Sequence, residues 1–367
     1  MTTIEFISNL HTVPATAPRE TGHLNVFDPD YTRHFARSLD EAGYDWTLVP
    51  YSSSAADANQ LAQFVAHHSD RLRPMLAHRP GFLAPTQAAR MLATLDVITG
   101  GRLGVHVVSG GDDVEQAREG DYGLTKAQRY ARSEEYVRIL RTIWQAGGKT
   151  LDHEGHYYRF EGFATDVVPL QEHLPISVGG SSAEAYRLGG RHGDIFGLWG
   201  EPLAETAEQI RAVHEQADAA GRPRPRIWIS FRPIVAATDA AAWEKAYALL
   251  GAARATAGPD QRDWSPPNTG SQRLKAVAAR GDLHDRALWT PMVTATAQTG
   301  STTALVGSYE TVAQAILDYV GIGCELIAVR GWDPLADAVD YGRHLLPLVR
   351  QELARRPAPK QLSEARP

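Results

Sequence analysis

Short apolar runs alternate with longer segments of helical periodicity along almost the entire chain. We interpret eight of the short runs as β-strands, at residues 4–8, 46–50, 73–78, 102–108, 175–179, 194–199, 227–235 and 325–330. Helical spacing of apolar positions predicts helices between them, for example at residues 30–43, 85–100, 127–145, 183–193, 204–221, 309–323 and 334–353. Such alternation is typical of βα units around a parallel sheet.

A TIM (β/α)8 barrel is the fold that this alternation favours. Eight βα units that close on themselves form such a barrel, and a length of 367 residues suits one barrel with insertions. We therefore predict an α/β protein with a single barrel domain over residues 1–355. A doubly wound open sheet is the alternative, because periodicity alone does not show whether a sheet closes.

Three segments depart from the alternation. Residues 150–169 predict an extra hairpin with Glu154 and Gly155 at its turn. Residues 258–300 form a long polar excursion, and excursions of this length often act as lids over active sites. Residues 356–367 are rich in proline and charge, which predicts a flexible tail.

Composition excludes several classes of function. The chain is 43% hydrophobic and 22% charged, as expected of a globular protein, and its net charge of -6 gives no sign of a nucleic-acid binder. No apolar run approaches the length that spans a bilayer, and the first ten residues lack the features of a signal peptide. The single cysteine, Cys324, cannot form an internal disulfide, and its apolar surroundings indicate a buried side chain more than a catalytic thiol. We expect a cytoplasmic protein.

The residues after each predicted strand are the candidates for chemistry, because TIM barrels place their active sites at the carboxyl ends of the strands. They comprise Asn9, His11, Tyr51–Ser54, His78, Arg79, Ser109–Asp112, Gly179–Ser182, Trp199–Glu201, Arg232 and Arg330–Trp332. Together they predict a wide pocket of mixed polarity. His11, His78 and His106 also fit ordinary core or rim histidines, and no metal-binding spacing is present, so we predict no metal site.

One of these candidates is a glycine–serine loop. Gly179, Gly180, Ser181 and Ser182 lie between a predicted strand and a predicted helix. Glycines allow a ligand to approach the backbone closely, and the first amides of a helix attract anions. The loop therefore predicts either an anion site or a tight turn with a serine cap.

Five stretches taken together resemble the bacterial luciferase-like flavin monooxygenases, most closely the alkanesulfonate monooxygenase branch. They are HRPGFLAPTQAARMLATLDVITGGRLGVHVVSGGD, LTKAQRYARSEEYVRILRTIW, PISVGGSSAEA, LWGEPLAE and TTALVGSYETVAQAILDYVGIG. In the first, PTQAARMLATLDVITGGR followed by a Ser-Gly pair is a specific signal for the superfamily, whereas WGEP and ALVGSYETVA narrow the resemblance to the alkanesulfonate branch.

The resemblance implies a TIM barrel that uses O2 and reduced FMN, the latter supplied by a separate NAD(P)H-dependent flavin reductase. It implies that Gly180, Ser181 and Ser182 bind the FMN phosphate and that His11 lies near the reacting edge of the flavin. The residues that it assigns to FMN are His11, Val108, Ser109, Gly110, Lys126, Tyr130, Gly179, Gly180, Ser181 and Ser182. It also implies a homodimer or a homotetramer.

The chain departs from the alkanesulfonate pattern at the positions that bind substrate. The departures are Ser230-Phe231-Arg232 in place of Arg-Leu-His, Ala55 in place of cysteine, Gln298 near an arginine position, and Trp332 in place of tyrosine. We predict that Arg232 and Arg330, with Arg79, form a different anion clamp, and that His11, Trp199 and Trp332 complete the catalytic site. A salt bridge inside the barrel is the alternative for Arg232.

The predicted function is cleavage of the C–S bond of an organosulfonate, such as a bulky or sugar sulfonate, to release sulfite and an aldehyde. Two alternatives remain open. One is a deazaflavin- or FMN-dependent oxidoreductase of the same superfamily that acts on another substrate. The other is a flavin-binding protein without catalytic activity.

Overall fold

The structure is a computed structural model that describes residues 4–14, 27–110, 113–256, 268–295 and 303–356. Its strands are β1 Glu5–Asn9, β2 Trp46–Val49, β3 Arg73–His78, β4 Gly104–Val107, β5 Leu151–Glu154, β6 Arg159–Phe163, β7 Ile176–Gly179, β8 Ile195–Trp199, β9 Arg226–Phe231, β10 Ile234–Ala236, β11 Leu283–His284, β12 Leu288–Trp289, β13 Ala304–Ser308 and β14 Cys324–Val329.

The helices in the same ranges are α1 Pro29–Glu41, α2 Ala58–His67, α3 Pro85–Ile98, α4 Asp113–Arg118, α5 Lys126–Gln145, α6 Ala183–His192, α7 Leu203–Ala219, α8 Asp239–Thr256, α9 Thr269–Ala278, α10 Pro291–Ala295, α11 Tyr309–Gly321, α12 Pro334–Asp340 and α13 Leu346–Arg355. A π-helical turn, Tyr341–Leu345, joins α12 to α13. None of these helices is both long and apolar enough to cross a bilayer.

Eight parallel strands close into a barrel in the order β1-β14-β9-β8-β7-β4-β3-β2. Closure is made by β1, in which Ile7 pairs with Trp46 of β2 and Glu5 pairs with Leu326 of β14. Each of the eight predicted strands supplies one barrel strand. The TIM-barrel prediction is confirmed, and the open-sheet alternative is wrong.

Apolar packing fills both sides of the barrel wall, as expected for parallel strands covered by helices. The lower interior is filled by one cluster, made of Ile7, Trp46, Met75, Ile195, Trp228, Leu326 and Ala328. A larger cluster lies between the strands and the surrounding helices and includes Cys324, which is 1% exposed. Cys324 therefore lies in the core, as its apolar surroundings predict, and this burial raises the pKa of its thiol.

The chain also forms a second sheet that the sequence pattern did not predict. Strands β10, β13, β12 and β11 make a four-stranded sheet, in which β10 and β13 are parallel. The single strand predicted over residues 227–235 is therefore wrong, because it divides into β9 and β10 around Pro233. Proline has no amide hydrogen to donate, so it interrupts a strand ladder at this position.

The structure describes all of one predicted insertion and part of another. Strands β5 and β6 form an antiparallel pair within residues 150–169, where the sequence predicts a hairpin. In the predicted lid, residues 268–295 carry α9, β11, β12 and α10. Residues 258–267 and 296–300 of that lid and residues 357–367 of the predicted tail lie outside the described residues.

Candidate active site

A cavity of about 430 Å³ opens at the carboxyl ends of the barrel strands. It is lined by Leu48, Arg79, His106, Val107, Val108, Ser109, Gly110, Lys126, Tyr130, Gly179, Gly180, Ser181, Ser182, Gly197, Leu198, Trp199, Trp228, Asn268, Thr269 and Gly270. A groove of about 500 Å³ lies on the outer surface of α2, but no barrel strand contributes to it. Because polar groups from several strand ends converge on the first cavity, we assign the site there.

The glycine–serine loop connects β7 to α6 at one end of the cavity. Gly180 has φ +138°, and a Cβ there would lie 2.9 Å from the Cβ of Ala185 and 3.3 Å from the Tyr130 hydroxyl, so glycine is required. Ser182 is the N-cap of α6, and its Oγ accepts a hydrogen bond from the amide of Ala185 at 3.4 Å. The loop thus combines a close backbone approach with the positive end of a helix, which suits a phosphate group.

Two side chains of α5 border this loop. Tyr130 is hydrogen-bonded to the side chain of Ser182, and burial raises the pKa of its phenol, so the hydroxyl stays protonated. Lys126 Nζ lies 3.4 Å from a carboxylate oxygen of Glu184 and 3.4 Å from Thr269 Oγ1. Lys126 therefore lies beside the loop, where Glu184 pairs with it.

A backbone turn after β4 forms an adjacent wall of the cavity. Ser109 Oγ donates to Ser133 Oγ at 2.9 Å, and Gln116 Nε2 donates to the carbonyl of Ser109 at 3.3 Å. Gly110 has φ +88°, and a Cβ there would lie 1.7 Å from Gln116 Nε2. Val108, Ser109 and Gly110 are thus held as a fixed surface, against which a flat ring can lie.

The remaining predicted residues form a second group, on β1, β9 and β14. The guanidinium of Arg232 stacks over Trp332 at 3.9 Å and donates to the carbonyl of Gly331 at 2.9 Å. Burial, then the charges of Arg330 and Arg232, lower the pKa of His11 to about 4. Burial and then Arg232 lower the pKa of Arg330 to about 10. These side chains are close enough to repel one another, but they do not appear among the described residues that line the cavity.

Arg79 does line the cavity, but it has its own partners. Its Nη1 lies 3.3 Å from Glu119 Oε2, and its guanidinium lies 4.5 Å from the ring centre of Tyr51. The Tyr51 hydroxyl donates to Glu119 at 2.8 Å. Within the described part of the chain, no ion pair joins Arg232 to a carboxylate, so the structure does not show the salt bridge that the sequence left open for Arg232. Gln298 lies outside the described residues.

Sequence reasoning did not assign the floor of the cavity, and it did not say which residues of the predicted lid border the cavity. Trp228 and the imidazole of His106 form the floor and meet edge to face with ring centres 5.8 Å apart. Asn268, Thr269 and Gly270, at the start of α9, cover the side near Trp199. A Cβ at Gly270 would lie 2.5 Å from the Trp199 ring, so only glycine allows that contact. A signal was available at position 106, since alternate residues of a strand face the same side.

The amino-acid sequence matches one family profile, described as "Luciferase-like monooxygenase", over residues 4–326. The match covers seven of the eight barrel strands completely, the first half of β14, and every residue that borders the cavity.

Solved structures of several enzymes have the same fold. A riboflavin lyase, solved with modified FMN and its substrate riboflavin, is 21% identical, with a TM-score of 0.77, over 95% of this chain and 92% of that chain. EDTA monooxygenase from Chelativorans sp. BNC1 is 18% identical, with a TM-score of 0.73, over 97% and 95%. An F420-dependent secondary alcohol dehydrogenase, solved with an F420–acetone adduct, is 16% identical, with a TM-score of 0.66, over 95% and 99%. At these identities the likeness establishes the fold alone.

Proposed function

This chain belongs to the luciferase-like monooxygenase family, and from that premise we propose that it uses reduced FMN and O2 to cleave the C–S bond of an organosulfonate. One oxygen atom goes to the carbon, which leaves as an aldehyde, and the other leaves as water. The sulfur leaves as sulfite, and the flavin ends oxidised. The proposal includes a separate NAD(P)H-dependent flavin reductase, a cytoplasmic location and a homodimer or homotetramer.

The observation that carries the flavin assignment is the convergence of a phosphate-type loop and a flat wall on one cavity. Gly180, Ser181 and Ser182 would hold the phosphate, with the Tyr130 hydroxyl as a further donor. Val108, Ser109 and Gly110 would lie along the ring. When bound, reduced FMN supplies the electrons that activate O2.

The protein's own contribution is to exclude water and to position the substrate. Trp199 and the first turn of α9 close one side of the cavity with a contact that only glycine at position 270 permits. Solvent exclusion matters because water diverts activated oxygen to hydrogen peroxide instead of to the substrate. The predicted lid over residues 258–300 remains part of this proposal.

The cationic group supports an anionic substrate. Arg232 and Arg330 place two positive charges beside the neutral His11 at the rim of β1, β9 and β14, and the charge of Asp337 acts on Arg232. Arginine suits a sulfonate because its guanidinium donates two parallel hydrogen bonds to such an oxyanion. The indole of Trp332 under Arg232 adds an apolar surface for the carbon chain or ring of a bulky sulfonate.

The test is a reconstituted reaction with FMN, a flavin reductase, NAD(P)H and a panel of alkyl, aryl and sugar sulfonates. We expect sulfite release from at least one member, with consumption of O2. If only hydrogen peroxide forms with every member while FMN binds, the desulfonation proposal is wrong and the flavin site stands.

A second candidate is hydride transfer with the deazaflavin F420, because F420-dependent enzymes share this fold. The two candidates differ in their cofactor. Titration of the purified protein with FMN and with F420 separates them. Tighter binding of F420 than of FMN would favour hydride transfer.

A further inference from the structure

One histidine in the cavity has no role in the proposed function. His106 lies on β4, two residues before Val108, and both residues line the cavity. Its Nδ1 lies 2.9 Å from Ser177 Oγ on β7. A Cβ at Gly179 would lie 3.1 Å from His106 Cε1. The imidazole therefore lies directly below the start of the glycine–serine loop.

Its environment differs from that of the nearby buried His78. His78 Nε2 lies 2.9 Å from the Tyr136 hydroxyl, and the residue is 5% exposed, so its ring is enclosed by protein. His106 lines the cavity, and within the described residues its Nε2 has no hydrogen-bond partner. A polar atom in this position requires a partner from a ligand or from water.

Neighbouring groups fix the orientation of the His106 ring. Ser177 holds Nδ1, and the indole of Trp228 meets the imidazole edge to face at 81°. Burial lowers the pKa of His106 to about 4, so the ring is neutral at neutral pH. With Nδ1 occupied, Nε2 is the atom left to form a hydrogen bond with whatever fills the cavity.

We propose that His106 Nε2 forms a hydrogen bond with the isoalloxazine ring of the flavin and thereby positions that ring against the β4 wall. The inference rests on the proposed FMN site, in which the phosphate is held by Ser181 and Ser182 and the ring lies along Val108–Gly110. His106 lies between these two regions, below Gly179 and next to Val108. Isoalloxazine carries both carbonyl acceptors and an N–H donor, so it can pair with either tautomer of the imidazole.

The test compares three flavins, namely FMN, riboflavin and lumiflavin, whose affinities are measured by fluorescence quenching. His106→Leu should weaken all three about fivefold to tenfold, because the ring is common to all. His106→Gln places an amide near the position of Nε2 and should return each affinity to within about threefold of wild type. Ser182→Ala should weaken FMN alone, because the other two flavins lack the phosphate.

Further variants separate positioning from packing. His78→Leu removes a histidine outside the cavity and should lower the melting temperature without changing any flavin affinity. Ser177→Ala keeps the imidazole but removes the hydrogen bond that fixes its orientation. It should weaken the binding of all three flavins about twofold to threefold, and it tests the inference even if His106→Leu fails to fold. The near-ultraviolet absorption band of bound FMN should shift in His106→Leu and in Ser177→Ala.

The outcomes are distinguishable. A folded His106→Leu variant with wild-type affinity for all three flavins makes His106 a packing residue and overturns the inference. A loss seen with FMN and riboflavin but absent with lumiflavin assigns the contact to the ribityl chain and also overturns it. If wild-type protein binds no flavin, the proposed function fails together with the inference.

Discussion

The contacts of Arg232 favour a role in binding over a role in stabilising the fold. Its guanidinium is held by the ring of Trp332 at 3.9 Å and by the carbonyl of Gly331 at 2.9 Å. Neither partner neutralises its charge, and burial lowers the pKa of the side chain although the charge of Asp337 acts to raise it. Burying a cation without a carboxylate in hydrogen-bond contact costs free energy, and an anionic substrate would supply that partner, which is why we assign Arg232 to the substrate.

We expect Arg232→Ala to raise the Kd of a sulfonate ligand about tenfold to a hundredfold, because a hydrogen bond to a charged group contributes about 1.5–3 kcal/mol. The Kd of FMN should stay within twofold, because Arg232 does not line the flavin cavity. Calorimetric titration with the sulfonate that the panel identifies, or with an inhibitory alkanesulfonate, measures the change. Arg224→Ala, which removes an exposed arginine paired with Asp218, is the control. Equal sulfonate affinities in the two variants would contradict the clamp.

At the scale of elements, the barrel was predictable and its additions were not. The eight strands were found because each is an apolar run flanked by helical segments. Strands β11 and β12 have two residues each, which is too short for a pattern. The helix predicted over residues 334–353 contains a π-helical turn just before Pro347, whose missing amide hydrogen prevents regular α-helical bonding.

The candidate site could also be predicted only in part. Its loops were recognised from glycine, serine and aromatic motifs, and the structure brings most of those residues to one cavity. For His106 the available signal was its spacing from Val108, whereas Trp228 was not assigned because a strand buried on both faces shows no alternation that marks its inward side. The start of α9 lies within the predicted lid, but its contact with Trp199 was not predicted, because 71 residues separate Trp199 from Gly270 in the sequence and only the fold brings them together.

Helix α9 is attached to the barrel by one ion pair that we expect to control the cavity. Arg273 donates to both carboxylate oxygens of Glu201, at 2.8 and 2.7 Å, and Glu201 is 1% exposed. Arg273→Ala leaves a buried carboxylate without its partner, which costs about 3–5 kcal/mol when the partner is fully lost. We expect α9 to loosen, the Kd of FMN to rise about threefold to tenfold, and more hydrogen peroxide to form per sulfite.

Hydrogen–deuterium exchange across residues 269–278 and a peroxide assay measure these effects. Arg280→Ala is a matched control, because Arg280 lies just after the same helix and pairs with Glu205 at a more exposed position. The hydrogen–deuterium exchange of α9 and the amount of hydrogen peroxide formed per sulfite should be the same in Arg280→Ala as in wild type, since exposed ion pairs contribute about 0–1 kcal/mol. Protected amides in Arg273→Ala would show that α9 does not depend on this ion pair.

At the scale of the whole molecule, the cluster around Glu5 at one end of the barrel differs from the group of Arg232, Arg330 and His11 at the other end. At the amino end, Glu5 accepts from Arg73 at 2.7 Å, from Arg226 at 3.0 Å and from the Trp46 indole at 3.0 Å, so charges there are paired. At the carboxyl end, Arg232 and Arg330 lower the pKa of His11 and repel each other. This difference between the two ends matches the division in TIM barrels between a stabilising face and a catalytic face.

The division predicts that stability and substrate binding respond to different substitutions. Burial on its own raises the pKa of Glu5, but the hydrogen bonds from Arg73 and Trp46 and the charges of both arginines outweigh it and hold the pKa below its usual value. A carboxyl with a lowered pKa stabilises the fold above the pKa of the unfolded chain, about 4.3, and this contribution is lost as the pH falls through the folded-state value. Glu5→Gln should therefore reduce the free energy of unfolding by about 1–3 kcal/mol at pH 7, and the difference from wild type should shrink below about pH 4.

Urea unfolding between pH 3 and pH 7 measures that difference, and titration at pH 7 measures sulfonate and FMN affinity in the same variant. We expect both affinities of Glu5→Gln to equal those of wild type, because Glu5 lies at the end of the barrel opposite the cavity. Arg232→Ala should show the reverse pattern, with weakened sulfonate binding and an unfolding free energy that is unchanged or higher, since its removal relieves repulsion with Arg330. If Glu5→Gln weakened sulfonate binding as much as Arg232→Ala, the charges at the two ends would be coupled and the division of roles between them would be wrong.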